Sequence, residues 1–200
     1  PKRRTRATIA KEKGLEPLAE ILRAQATTRT IEEEATAFVD AEKGVESVQD
    51  AIDGAKDILS EVYADDADYR TKLRAMTKES GSLVAKAKDE KADSVYEMYY
   101  DFSEPIKKLV GHRILAINRG EAEKFLTVKI EAPRQEILLW LVKQIIGNVK
   151  HDSASYLYEA ITDSYDRLIA PSIEREIRNE LTEKAEEGAI GVFGKNLHQL

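Results

Sequence analysis

Three groups of residues in this chain have the right types for chemistry, and their spacing limits what each can do. His151, Asp152 and Ser153, with Ser155 beside them, supply the residue types of a nucleophilic relay. Such a relay needs side chains converging from separate parts of a fold, with amides to hold an oxyanion. Neighbours on one local segment do not converge in that way, and no glycine turn of the nucleophile-elbow kind accompanies them. His112, His151 and His198 are far apart, and none is spaced with a second metal ligand. There is no cysteine, so thiolates offer no site either. Each histidine is read as a surface or cap residue. Asp65 and Asp66 lack a histidine partner and suit a helix amino terminus, where the dipole favours negative charge. No glycine-rich phosphate loop occurs, and the many carboxylates fall on outer faces of predicted helices rather than as an acid and base pair. We therefore expect no enzyme here: no catalytic residue, metal, cofactor or small-molecule substrate.

The residue type left over is the cation. Lys2, Arg3, Arg4 and Arg6 lie beside Thr5 and Thr8, and arginine forks match phosphate oxygens by their planar donors. The plainer reading of this arm is a linker whose charge keeps it soluble. A second basic set, Lys107, Lys108, Arg113 and Arg119 with His112, follows the aromatics Tyr96, Tyr99, Tyr100 and Phe102. Together they could form a stacking platform for single-stranded nucleic acid, although aromatics at helical spacing more commonly face a core. The expected nucleic-acid contacts are thus Lys2, Arg3, Arg4, Arg6, Lys107, Lys108, Arg113 and Arg119. Against them stands a net charge of −6 over the 200 residues. Because the arm is basic, the remaining body is more acidic still and repels phosphate unless the arm acts locally.

The elements that must position these residues are mostly helical. Residues 5–13 and 18–24, separated by Gly14 and opened by Glu16-Pro17, read as two short helices. Ala10 and Gly14 match a helix-turn-helix, but Glu20 falls where that motif turns an apolar residue inward, so an ordinary helical hairpin is the better reading. Ile31, Ala35, Phe38 and Val39 mark a third helix. Val45, Val48, Ile52, Ala55, Ile58, Leu59 and Val62 mark a long one, slightly weakened by Gly54. Tyr69, Leu73 and Met76 continue beyond the two aspartates.

Helical and strand periods meet in residues 99–133. Ser103 reads as a helix cap, Pro105 as an early helical position and Gly111 as a stop. Ile114, Leu115 and Ile117 form a further short run. Leu126, Val128 and Ile130 then alternate with Thr127, Lys129 and Glu131, the period of a half-buried strand that Pro133 ends. Leu83, Ala85 and Ala87 alternate likewise. We expect strands 82–88 and 125–131 to pair antiparallel, with Lys86, Lys88 and Lys129 sharing the outer face. Residues 137–149 are apolar around most of a helix, with Trp140 as core anchor and Gly147-Asn148 at the end. Tyr158, Ile161, Tyr165, Leu168 and Ile169 line the next helix, and Pro171 should break or kink it. Ile173, Ile177, Leu181 and Ala185 line a last one whose Glu174, Arg175, Glu176 and Arg178 form a solvated, salt-bridged face.

The expected fold class is mainly α: a multi-helix elongated body with a small two-stranded antiparallel β ribbon. Its regions are a basic arm and helical hairpin (1–26), a helical region with the ribbon (27–132) and a second helical region (133–200). With 42% hydrophobic and 34% charged residues the chain can bury a core. No apolar run approaches the roughly 20 residues of a membrane span, and there is no secretory signal. The absence of cysteine fits a reducing compartment, so we expect a cytoplasmic protein without membrane contact. A start at Pro1 and an end on Leu200 inside an apolar pattern suggest an excised fragment.

PKRRTRATIAKEKGLEPLAEIL at the start, DFSEPIKKLVGHRILAINRGEAEKFLTVKIEAP in the middle and AIGVFGKNLHQL at the end resemble, in that order, the bacterial Tex family of YhgF-like transcription accessory proteins. The likeness is spread over nearly the whole chain. It implies the helical amino-terminal part of such a protein. A ribonuclease H-like domain, helix-hairpin-helix motifs and an OB-fold RNA-binding module would follow Leu200, so a nuclease activity of the parent would lie outside these residues. By resemblance the chain is a scaffold and nucleic-acid-associated region, with RNA or DNA, met mostly through those later domains, and the transcription machinery as partners. The alternative is a protein-interaction scaffold that positions the later domains without touching nucleic acid.

Overall fold

A computed structural model describes the backbone of residues 3–199 and the side chains of residues 3–190. Lys2, His198 and the pattern of Phe193, Leu197 and Leu200 lie outside what it describes. The chain is mainly α and forms two compact units, each assembled from two separate stretches: residues up to Thr71 with Gln135–Pro171, and Lys72–Arg134 with the residues from Ser172 on. The regions expected from turns and composition run consecutively, whereas these units follow contacts.

The first unit opens with the expected hairpin, α1 (Arg6–Glu12) and α2 (Glu16–Ala24). The Thr5 hydroxyl accepts from Thr8 N (3.1 Å) and caps α1. Gly14 makes the turn at φ +78°, a conformation that costs other residues more. Leu15, Leu18 and Leu22 are fully buried while Glu20 is exposed. A short α3 (Ile31–Thr36) follows, then α4 (Val48–Asp65), capped by Ser47 and packed by α1, α2, α3 and the later α8 (Ala154–Asp163). Asp66 Oδ1 accepts from Tyr69 N (3.0 Å) and caps α5 (Ala67–Ser80), as the aspartate pair suggested.

Three expectations for this unit need correction. The helix α7 (Arg134–Ile145) is buried on one face only, through Ile137, Leu138 and Leu141, and Leu139 is 56% exposed. Trp140 sits half-buried, its ring edge-on to Tyr69 at 5.7 Å, so it seals a margin rather than anchoring a centre. Nor does Pro171 break its helix. After α8 (Ala154–Asp163), residues Ser164–Ile169 make a π-helical turn, and α9 (Ala170–Gln199) runs on through the proline. Widening the preceding turn accommodates both the missing donor and the ring. Leu157 and Ala160, not Tyr158, share the inward face with Ile161 and Tyr165. The buried Ser60 and Ser164 lock this segment to α4: Ser60 Oγ donates to the Ala160 carbonyl (3.2 Å) and Ser164 Oγ to the Ser60 carbonyl (2.5 Å).

In the second unit the ribbon is a three-stranded antiparallel sheet. β1 (Ser82–Ala87) and β3 (Leu126–Glu131) pair as expected, Leu83 opposite Ile130 and Ala85 opposite Val128. The third strand is β2 (Asp101–Pro105), on the other side of β1. Ser103 is therefore a strand residue rather than a helix cap. Pro105 precedes a single 3-10 turn, and Gly111 opens α6 (Gly111–Ala122) instead of ending a helix. β2 has only five residues, with Asp101, Ser103 and Pro105 exposed and Phe102 and Glu104 partly buried, a short alternation ending on proline that is easily taken for a capped helix start. Leu126 and Val128 are buried and Ile130 half-buried, while Thr127, Lys129 and Glu131 are exposed. The inward face meets Tyr96, Tyr99 and Ile117.

Candidate nucleic-acid interface

The basic arm leads into α1. Arg3, Arg4 and Arg6 are exposed, and Lys2 lies outside the described residues. Arg4 is ion-paired with Glu12, one helix length away. Arg6 lines a cleft of about 440 Å³ with Asp53, Lys56, Asp57, Ser60, Glu159 and Asp163. Burial pushes the Asp57 carboxyl above the usual carboxylate range, with Asp163 adding to it and Arg6 and Arg167 opposing it. Asp163 is held below that range, first by the hydrogen bonds from Arg167 (Nη2 at 2.8 Å, Nε at 3.1 Å) and also by Arg6. So Arg6 faces carboxylates of its own chain.

The second basic set belongs to the other unit. Lys107 and Lys108 occupy the 3-10 turn after β2, Arg113 lies in the first turn of α6, and Arg119 follows near its end. Lys107 Nζ donates to Glu79 Oε1 (2.7 Å) and Arg113 Nη1 to Glu104 Oε2 (3.1 Å). The hydrogen bond from Lys107 holds the Glu79 carboxyl below its usual value. Lys108 and Arg119 are exposed, without an ion-pair partner among the described residues. The aromatics do not join them. Tyr96 and Tyr99 are buried, and Tyr99 meets Phe102 edge-on at 5.4 Å. The Tyr100 hydroxyl donates to the Ala92 carbonyl (2.6 Å). These rings face the core, as their spacing suggested, and give no base-stacking platform. On the sheet's outer face Lys86 is paired with Asp101.

The His151-Asp152-Ser153 segment has a structural task in the first unit. His151 Nε2 is 2.7 Å from the Thr27 carbonyl, and its Nδ1 lies 3.0 Å from Ser153 N, so the ring ties the start of this segment to the loop after α2. Asp152 Oδ2 accepts from Ile31 N (2.7 Å), one of the orphan donors at the start of α3. Nothing in the local sequence announces a latch between segments more than a hundred residues apart. The same holds for Glu174, Glu176 and Arg178 of α9, which brace other elements. Arg178 reaches Glu121 (2.7 Å) and Asn118 (2.9 Å), Glu176 pairs with Arg74, and Glu174 accepts from Ile130 N (3.0 Å). Among these only Arg175 is fully exposed.

Among the described residues no three histidine or carboxylate side chains converge as a metal-holding set, and no helix is long and apolar enough to cross a membrane. The candidate cations thus fall in two separate sets, one on each unit. Residues 26–193 match the family description Tex central region-like, and the chain belongs to that family. It is 46% identical to the protein YdcI of Bacillus subtilis over its whole length, covering 28% of that protein. It is 31% identical to the transcriptional accessory protein Tex of Neisseria gonorrhoeae, again over its whole length and 27% of the relative. Similarity extends to the human S1 RNA-binding domain-containing protein 1, 32% identical over 79% of this chain and 17% of that protein. The chain spans little more than a quarter of its bacterial relatives.

Proposed function

We propose that this chain is the amino-terminal scaffold and nucleic-acid-associated part of a Tex-like transcription accessory protein of the cytoplasm. It binds RNA or DNA weakly and without sequence preference, performs no catalysis, and serves the transcription machinery through the longer protein. The supporting observation is the exposure of Arg3, Arg4, Lys108 and Arg119, of which, among the described residues, Arg4 alone is in an ion pair, and that one at the surface. Exposed pairs contribute little, so phosphate can displace them. The names of the relatives, one transcriptional and one RNA-binding, point the same way.

The test is a titration of the chain against single- and double-stranded RNA and DNA over a range of salt. If about four phosphates are neutralised by the arm, log affinity against log salt falls with a slope near −3.6 on duplex DNA. Alanine at Lys2, Arg3, Arg4 and Arg6 together should remove most of that slope and leave the fold intact, as circular dichroism would show. Binding equal to the parent would make the arm a linker.

A second reading is a protein-interaction scaffold without nucleic-acid contact. What favours it is that Arg4, Lys107 and Arg113 each already meet a carboxylate and Arg6 faces several, on a chain of net charge −6. Absence of any salt-sensitive binding in the same titration would select it.

A further inference from the structure

The sheet of the second unit has two edges, and they are treated differently. Glu174 covers the open side of β3 by accepting from Ile130 N. At β2 the bonds of Ile106 N to the Gly81 carbonyl and of Ala87 N to the Tyr100 carbonyl show that even-numbered residues turn toward β1. Asp101 and Ser103 consequently turn their backbone N–H and C=O groups away from the sheet, a template for another strand.

The two ends of this free edge carry complementary features. Just before β2, Val95 and Met98 are 85% and 74% exposed, the former the most exposed large apolar side chain described. Their loop is anchored by the buried Tyr96 and Tyr99 and by the Tyr100 hydroxyl, and it carries Asp89, Glu90, Asp93 and Glu97 against Lys91. Just after β2 lies a cleft of about 300 Å³, with Ile106, Leu109, Ile177 and Leu181 among its walls. Lys78, Lys107 and Lys184 rim it. Glu180 is shared by Lys78 (2.6 Å) and Lys184 (3.1 Å), and Lys107 meets Glu79 (2.7 Å), so three lysines against two carboxylates leave the rim a small positive charge. The length of β2, about 14 Å at roughly 3.4 Å per residue, separates the acidic apolar loop from the basic apolar cleft. One copy therefore does not fill its own cleft.

We propose that this edge binds a second copy of the chain. β2 pairs antiparallel with its counterpart about a two-fold axis at Ser103, joining two three-stranded sheets into one of six. The two-fold sets the start of each β2 beside the end of the other, which brings Val95 and Met98 of each copy to the lysine-rimmed cleft of its partner. It also sets Asp101 opposite Pro105, so no like charges face each other across the strands. The inference is independent of nucleic-acid binding.

Sedimentation velocity on the chain from micromolar to millimolar concentration tests it. The weight-average mass should rise from 22.5 kDa toward twice that value and fall back in high salt. Met98→Asp should hold the mass at one chain with the parent's melting temperature, because that residue is exposed. Lys107→Glu with Lys184→Glu should do the same at a small loss of melting temperature, because their surface pairs with Glu79 and Glu180 are broken. The chain lacks cysteine, so Ser103→Cys adds a single thiol. Opposed residues in a hydrogen-bonded antiparallel pair lie about 5.5 Å apart at Cα, within disulfide range. Mild oxidation should crosslink Ser103→Cys into a dimer, and should not crosslink Thr127→Cys, on the exposed face of β3. A mass of one chain at every concentration overturns the proposal. So does association that survives either set of variants, or equal crosslinking at the two thiols.

Discussion

Asp57 and Asp163 stand in one cleft and respond to pH with opposite signs. Burial raises the Asp57 pKa, so its ionised form costs stability at neutral pH, and the cost is relieved as pH falls through the raised folded value. Arg167 depresses Asp163, whose contribution is complete above the ordinary carboxylate pKa and is lost as pH falls through the lowered folded value. Asp57→Asn should accordingly stabilise the chain at neutral pH, by on the order of 0.5 kcal/mol after solvent screening of a half-exposed site. Asp163→Asn should destabilise it. Both differences from the parent should close on acidification, which melting curves across the acid range would check. A fall in neutral-pH melting temperature for Asp57→Asn would refute the assignment. Neither role is legible in the sequence, where both residues look like members of solvated helix faces; the environment that separates them comes from α1 and α8 closing over α4.

Among elements, α4 shows how a local weakness serves packing. Gly54 reads in the sequence as a slight loss of helix propensity. In the fold it is where Leu15, at the turn of the α1–α2 hairpin, lies against the backbone of α4, and a Cβ there would overlap the leucine side chain. Gly54→Ala should therefore cost about 1–3 kcal/mol by overpacking, although alanine improves helix propensity. Chemical denaturation would measure the sign, and a stabilised variant would mean that the hairpin shifts freely. Elements whose apolar period matches one buried face were legible: α4, the β1–β3 pairing with Leu126 and Val128 inward, and the stripe of Ile173, Ile177 and Ala185. Three others were not. β2 is short and ends on a proline, α7 exposes an apolar Leu139, and the π turn spares α9 the break that Pro171 signals. In each the tertiary surroundings override a local cue. The candidate basic residues were visible as composition, but their carboxylate partners Glu12, Glu79 and Glu104 become neighbours only through folding.

Over the whole molecule, each compact unit closes with a stretch that lies beyond part of the other. Removing everything after Pro171 should leave the first unit's two stretches intact while stripping the second of Ile173, Ile177 and Ala185, and of the Glu174 contact on β3. Thermal unfolding of this truncation should show one retained cooperative transition and loss of protection in β1–β3 by hydrogen exchange. Retained protection of the sheet would show that α9 is dispensable to it. The interleaving also has a temporal side. At about 5–20 residues per second a ribosome needs roughly 3–13 seconds to make the 63 residues between Thr71 and Gln135. For that interval α4 has met α1, α2 and α3, but still awaits α8, so the surface that will receive Leu157 and Ile161 is open to whatever binds nascent apolar chains.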